Sequence, residues 1–126
     1  MKEECRMKNE EKDLAPRTKK FARRIIRLYV ALPKHDAAAQ VLGKQALRSG
    51  TSVGANYREA NRARSKAEFI SKIGDCLKEA DETLYWLELL VEENFIPAKR
   101  LQPLAAESNE LVAIFTTISK RARGDS

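Results

Sequence analysis

The chain has 126 residues and a formal net charge of +6, with 43% hydrophobic residues, 33% charged residues, 5 Gly and 4 Pro. This length fits one domain whose core needs neither disulfides nor metal, and the scarcity of helix breakers predicts helices. No apolar stretch reaches the ~18 residues of a membrane span, and the N-terminus lacks the apolar core of a signal peptide. We therefore expect a cytoplasmic protein without membrane contact.

The first predicted helix follows a charged segment. Residues 1–13 have no helical stripe, so we predict a disordered or frayed tail there and one domain over residues 14–123. Helix 1 is expected over about 16–32, because Pro16 suits a first helical turn and Pro33 disfavours helix at the residue before it. Its apolar face recurs at three- and four-residue steps and consists of Phe21, Ile25, Leu28, Tyr29 and Leu32.

Helix 2 is expected over about 36–61, with Asp36 as its N-cap. Gly50 and Gly54 are four apart, and a glycine costs a helix about 1 kcal/mol relative to alanine. The pair therefore indicates close packing against a neighbouring helix, and a break at residues 49–51 is the alternative. The predicted inner face consists of Ala38, Leu42, Gln45, Ser49, Ser52, Val53, Asn56 and Ala60. We expect Ser52 and Asn56 to form hydrogen bonds across helices, because buried polar groups need partners.

Helix 3 is expected over about 65–94. Ser65 and Glu68 form a capping box, in which the serine oxygen accepts from an early backbone N–H and the glutamate reaches back to the cap. The apolar surface of this helix is wider than one stripe, which suggests burial against the bundle and against a second subunit. The candidate subunit-interface residues are Tyr57, Ile70, Leu77, Tyr85, Trp86 and Leu89.

Helix 4 is expected over about 97–121, and Pro103 inside this span offers an alternative start for the regular helix. No strand-like alternation competes with the helical pattern. Four helices with short connections predict an all-α, antiparallel up-down-up-down four-helix bundle.

Charge is unevenly distributed along the chain. Residues 1–64 carry 16 Lys and Arg against 7 Asp and Glu, whereas residues 65–126 carry 8 against 11. This asymmetry suggests a polyanionic partner, or contact between the basic and acidic halves within one fold or across subunits. Phosphate binding needs only positive charge at reachable spacing. The candidate nucleic-acid-binding residues are Arg17, Lys19, Lys20, Arg23, Arg24, Arg27, Arg58, Arg62, Arg64 and Lys66.

The residue inventory argues against an enzyme. The only histidine is His35, and no Glu-x-x-His motif of the kind used by di-iron bundles is present. Zinc sites need clustered Cys and His, whereas Cys5 and Cys76 are far apart, and Cys76 reads as a small buried hydrophobe. No phosphate-loop or dinucleotide fingerprint occurs. We expect no catalytic residue, no metal and no cofactor.

Four segments carry a resemblance to a known family. The most characteristic is residues 47–60, LRSGTSVGANYREA; residues 21–34, 63–69 and 77–87 continue the pattern. The chain resembles the bacterial four-helix-bundle proteins named after intervening sequences in large-subunit ribosomal RNA genes. The resemblance covers about residues 17–122 and is most specific through helices 2 and 3.

The resemblance implies an antiparallel bundle that assembles into a ring, usually a homopentamer. Relatives include the accessory variability determinant of diversity-generating retroelements, a basic barrel that binds nucleic acid and a reverse transcriptase. The first hypothesis is thus an oligomeric adaptor that binds RNA or DNA. The second is a protein interaction scaffold whose basic surface meets an acidic partner protein or a reverse transcriptase.

Overall fold

The computed structural model describes residues 2–124, with side chains from residue 13 onward. Four helices follow one another: α1 (Lys2–Val30), α2 (Ala37–Asn61), α3 (Lys66–Glu92) and α4 (Ala98–Ala122). Consecutive helices pack together, most extensively α2 with α3, whereas α1 and α4 meet along a narrow seam. The part of the chain described contains no strand. The predicted all-α four-helix bundle is therefore confirmed.

Helix α1 begins well before its predicted start. It runs through Pro16, so most of the segment 1–13, predicted as a tail, continues α1; Met1 and the side chains before residue 13 lie outside the described residues. Lys, Glu, Arg and Met are good helix formers, so this segment has helix propensity without an apolar stripe. Leu14 and Thr18 flank the proline and are already fully buried.

Both predicted N-caps are present. The Ala39 N–H donates to Asp36 Oδ1 at 3.0 Å, and the Glu68 N–H donates to Ser65 Oγ at 3.0 Å. The Glu68 carboxylate accepts from the Arg64 N–H at 3.1 Å, one residue before the cap that the sequence pattern indicated. Each cap satisfies a backbone donor that the first helical turn leaves unpaired.

The ends of α3 and α4 differ slightly from the prediction. Helix α3 stops short of Asn94, which adopts a left-handed φ of 65°, and the Phe95 N–H returns to the Leu90 carbonyl at 2.8 Å. This closure satisfies a carbonyl of the last turn. Helix α4 continues through Pro103, which lies near the helix start, so the alternative start is wrong.

The buried face of α2 is rotated from the predicted one. The buried residues are Ala39, Gly43, Ala46, Ser49, Gly50, Val53, Tyr57 and Ala60. Ala38 is exposed, and Gln45, Ser52 and Asn56 are half-buried. The predicted face was based on the positions of Leu42 and the hydroxyl residues. The observed contact face contains mostly glycine and alanine, whose low hydrophobicity makes them hard to recognise as buried from the sequence.

Glycines let α2 approach α1 closely. A Cβ at Gly50 would lie 2.8 Å from Ile25 Cγ1, and a Cβ at Gly54 would lie 3.1 Å from Thr18 Oγ1. Gly43 lies against Leu32 in the same way. Helix α2 is continuous through residues 49–51, so the prediction of close packing is confirmed and the alternative break is wrong.

The polar residues of α2 make a different set of hydrogen bonds from the predicted one. Ser52 Oγ donates to the Arg48 carbonyl at 2.6 Å and Asn56 Nδ2 to the Ser52 carbonyl at 3.0 Å, both within α2. The bond across helices involves Ser49, whose Oγ accepts from Thr83 Oγ1 of α3 at 2.9 Å. The small side chain of Ser49 lies on the α3 side of the helix, where it is fully buried.

Candidate nucleic-acid interface

Five of the predicted cations form one surface, called here the α1 basic face. They lie within about two turns of α1 and line a shallow depression of about 420 Å³; they are Lys19, Lys20, Arg23, Arg24 and Arg27. Four are exposed and Arg24 is half-buried. None of the five forms an ion pair with an acidic residue between positions 13 and 124. The face is therefore free to meet an external anion.

Arg17 does not belong to this free face. Its guanidinium donates to Glu107 of α4 at 2.8 and 2.7 Å and lies 3.1 Å from the Glu110 carboxylate. The hydrogen bonds to Glu107 raise the pKa of Arg17 above its usual range, so the charge is permanent but already neutralised. Arg17 thus links α1 to α4, and this pairing makes it a weaker candidate for phosphate contact than the five cations of the α1 basic face.

Arg48 of α2 is likewise neutralised by glutamates, in this case on α3. It pairs with Glu79 at 3.2 Å and with Glu82, and Glu82 also accepts from Trp86 Nε1 at 3.1 Å. Part of the basic half of the sequence thus meets the acidic half within one fold. Among residues 13–124, the cations without an acidic partner include the five of the α1 basic face and also Arg58 and Arg62 at the end of α2.

The four candidate cations near the connection between α2 and α3 do not form one cluster in the structure. Arg58 and Arg62 line a groove between α1 and α2, and Lys19 from the α1 basic face lines the same groove. Arg64 and Lys66 lie exposed at the connection between α2 and α3 and do not line it. The structure therefore brings together three of the cations that the sequence placed in separate runs.

This α1–α2 groove has a volume of about 720 Å³. Half of the twelve residues that line it are small, and these are Ala15, Thr18, Ala22, Thr51, Gly54 and Ala55. Sequence reasoning missed the groove, although small residues at four- and seven-residue steps on two adjacent helices were visible. They were read only as a means for helices to approach, and they also leave the outer seam between α1 and α2 unfilled.

Neither tyrosine near the basic residues presents a fully exposed ring. Tyr29 is half-buried, its ring lies against Gly43, and its hydroxyl donates to Gln40 Oε1 at 2.9 Å. Tyr57 is 4% exposed, and its ring lies 6.0 Å from that of Phe115 in the core. The interface therefore offers charge and guanidinium groups and no exposed aromatic platform of the kind that single-strand binders use.

The predicted subunit-interface residues also separate. The prediction that Tyr57 lies at a subunit interface is wrong, because its side chain is buried within the single bundle. Tyr85 is 56% exposed and contacts the half-buried Trp86 edge-to-face, with ring centroids 5.1 Å apart. The other three, Ile70, Leu77 and Leu89, are half-buried on α3.

The described residues hold no candidate metal centre. Between positions 13 and 124, no three His, Cys, Asp or Glu side chains are grouped as a metal ion requires. Cys76 is fully buried, and desolvation raises the pKa of its thiol to about 12. His35 is exposed in the connection between α1 and α2. None of the helices described combines the length and apolar character that crossing a membrane requires.

The fold and this surface define a class: a four-helix bundle with a basic helix face that has no acidic partner among residues 13–124. The chain belongs to the family of the 23S rRNA-intervening sequence proteins, whose family model matches residues 10–117. This confirms the resemblance that the four sequence segments carried.

A solved structure is similar over most of both chains. It is a protein of unknown function from the S23 ribosomal protein family of Bacteroides thetaiotaomicron VPI-5482. The two chains share 42% sequence identity and superpose with a TM-score of 0.79, over 85% of this chain and 98% of the other. Comparison with curated proteins gives no match.

Proposed function

We propose that this chain is a non-enzymatic, oligomeric adaptor of the cytoplasm that binds nucleic-acid backbones through the α1 basic face. The observation that carries the proposal is the contrast between cations. Arg17 and Arg48 are neutralised by glutamates, whereas the five cations of the α1 basic face have no acidic partner in the described part of the chain. Unpaired Lys and Arg at this spacing are sufficient to bind phosphates and release their counterions.

The mode of binding follows from the side chains that the face offers. Because Tyr29 is half-buried and Tyr57 is buried, the α1 basic face offers bases little stacking surface. Contacts to phosphate fix the position of a nucleic acid without reading its sequence. We therefore expect binding to double-stranded or structured nucleic acid with a steep dependence on salt and little sequence preference.

The oligomer, proposed as a homopentameric ring, uses a different surface. The exposed Tyr85 and the half-buried Trp86 form an aromatic pair on α3, and aromatic residues are enriched where subunits meet. Contacts between unlike surfaces close into rings when the rotation allows it. Five copies of a +6 chain would carry about +30, which strengthens the attraction for a polyanion.

The proposal is tested by fluorescence anisotropy with labelled duplex DNA, structured RNA and an RNA–DNA hybrid, at low and physiological salt. The test variant carries Arg23→Glu, Arg24→Glu and Arg27→Glu. The matched control, Lys78→Glu with Lys99→Glu and Arg100→Glu, makes the same charge change at exposed cations outside the α1 basic face. Helicity and oligomer mass are measured for all three proteins.

Binding that persists at physiological salt, is lost in the α1 variant and survives in the control supports the proposal. Equal loss in both variants would show that net charge alone attracts the nucleic acid. Absence of binding even at low salt would overturn the proposal and favour the alternative, a scaffold whose basic surface meets an acidic partner protein or a reverse transcriptase.

A further inference from the structure

The α1–α2 groove has the dimensions of a seat for a helix. Its α1 wall runs from Ala15 to Ala22 and its α2 wall from Thr51 to Arg62, which at 1.5 Å per residue correspond to about 10 and about 16 Å. These lengths equal about two to three turns of an α-helix. The groove is open along the outer side of the bundle, because Ala22, Gly54 and Ala55 do not fill the seam.

Two threonines on the floor of the groove, Thr18 and Thr51, have no hydroxyl proton to offer a ligand. Thr18 Oγ1 donates to the Leu14 carbonyl at 2.6 Å, and Thr51 Oγ1 donates to the Leu47 carbonyl at 2.8 Å. Both hydroxyl protons are therefore used within their own helices. A phosphodiester, which only accepts hydrogen bonds, gains nothing from these two hydroxyls, whereas an apolar ridge of side chains buries its surface on the small residues beside them.

The rim of the groove is cationic. Lys19, Arg58 and Arg62 are exposed and have no acidic partner among residues 13–124. Glu59 is the one carboxylate among the lining residues, and its Oε2 lies 2.8 Å from Lys72 Nζ on α3. That hydrogen bond raises the pKa of Lys72, so the charge of Glu59 is already matched and the rim keeps its excess of positive charge.

We propose that the α1–α2 groove receives an acidic amphipathic α-helix of a partner protein. The apolar stripe of that helix lies on the small-residue floor, and its flanking carboxylates pair with Lys19, Arg58 and Arg62. Recognition of an amphipathic helix in a groove uses such a stripe for affinity and complementary charge for specificity. The groove shares only Lys19 with the α1 basic face, and substitutions at Ala55, Arg58 and Arg62 leave that face unchanged, so the two proposals can be tested separately.

The experiment uses the full chain and a defined probe. The probe is a fluorescein-labelled peptide of about five helical turns, or about 18 residues, with Leu and Ala on one face and Glu on both flanks. Two control peptides have the same composition in scrambled order, or Lys in place of Glu. The proteins are the native chain, Ala55→Trp, which fills the groove, and Ala106→Trp, a matched exposed alanine on α4. A fourth protein carries Arg58→Glu and Arg62→Glu.

We expect the native chain and Ala106→Trp to bind the acidic peptide about tenfold more tightly than either control peptide. Ala55→Trp and the Arg58→Glu/Arg62→Glu variant lose this binding, while Ala55→Trp keeps native affinity for duplex DNA. The proposal is overturned if Ala55→Trp still binds the peptide, or if the acidic peptide binds no better than the controls. Loss of DNA binding by Ala55→Trp would make the groove a nucleic-acid site, and a changed oligomer mass would make it a contact between copies.

Discussion

The guanidinium of Arg17 forms a fork with the carboxylate of Glu107: Nε donates to Oε2 at 2.8 Å and Nη2 to Oε1 at 2.7 Å. This pair joins α1 to α4, the two neighbouring helices that share the narrowest seam in the bundle. The side chains are 27% and 18% exposed, so solvent screens the pair only in part. Two parallel bonds also fix the angle at which the helices meet.

The Arg17–Glu107 pair is expected to contribute about 1 kcal/mol to the free energy of unfolding, because it is bidentate but partly screened by water. A double-mutant cycle of Arg17→Ala, Glu107→Ala and the double variant, measured by urea unfolding, gives this coupling energy. Lys99→Ala with Glu107→Ala serves as a control pair without contact and should show additive effects. Additive effects for Arg17 and Glu107 as well would show that the fork adds nothing to stability.

The dependence of nucleic-acid affinity on salt should separate free cations from paired ones. Each phosphate contact contributes about 0.9 to the slope of log affinity against log salt on duplex DNA. Arg23→Gln and Arg27→Gln are each expected to reduce the slope by about 1. Arg17→Gln should leave it near the native value, because Arg17 already faces Glu107 and Glu110. An equal reduction for Arg17→Gln would contradict the separation.

Two glycines are expected to respond in opposite ways to alanine. Alanine favours a helix over glycine by about 1 kcal/mol, and at Gly74 the added methyl meets nothing within 4 Å. At Gly50 it would lie 2.8 Å from Ile25 Cγ1 and 3.1 Å from Ile25 Cβ. That side chain is β-branched and fully buried, so it cannot move aside without strain. Gly74→Ala should raise the melting temperature and Gly50→Ala should lower it.

Thermal unfolding followed by circular dichroism checks both changes on the same protein. Because both variants replace glycine by alanine within a helix, helix propensity cannot explain a difference between their melting temperatures. A higher melting temperature for Gly50→Ala would mean that α1 moves away from α2 at low cost, and the close approach would then not require glycine.

The Cys76 thiol should be inert in the folded chain. Burial raises its pKa from 9.0 to about 12, so it stays protonated near neutral pH, and the thiolate is the reactive form. In a Cys5→Ser variant, alkylation of Cys76 at pH 8 should be very slow until denaturant is added. Because the folded-state pKa is the higher one, the stability associated with this group is complete below about pH 9 and declines as the pH rises toward 12.

The pH effect is checked by comparing the native chain with Cys76→Ala. The stability difference between the two should shrink above pH 9 and stay constant below it. Rapid alkylation of folded Cys5→Ser protein at pH 8 would show that the site opens to solvent without global unfolding.

The sequence predicts the helices and their caps well, because these depend on local chemistry. Asp36 and Ser65 cap the helices that follow them. A side chain with an oxygen acceptor just before an amphipathic segment is a signal that the local sequence contains. The face that α2 buries was predicted less well. Burial of Gly43 and Gly50 depends on what the neighbouring helix brings to them, which an apolar periodicity does not contain.

The sequence predicted which charged residues could form the candidate site, but not how these residues are arranged in space. Arg17 and Arg23 look equivalent in sequence, yet Arg17 is paired because Glu107 of α4 lies within reach. That contact joins residues 90 positions apart, so no local pattern reveals it. Tyr57 was misplaced for the same reason, since its burial requires Phe115 from the last helix.

The close fit of Gly50 against Ile25 also limits how this sequence can evolve. A larger residue at position 50 is tolerated only after position 25 becomes smaller, and a smaller residue at position 25 leaves a void while position 50 stays glycine. A substitution at either position alone is therefore expected to be destabilising, so the two positions should change together or not at all. We expect related sequences to show this as covariation between α1 and α2, with Ile25→Ala together with Gly50→Ala as the exchange that removes both Cγ contacts.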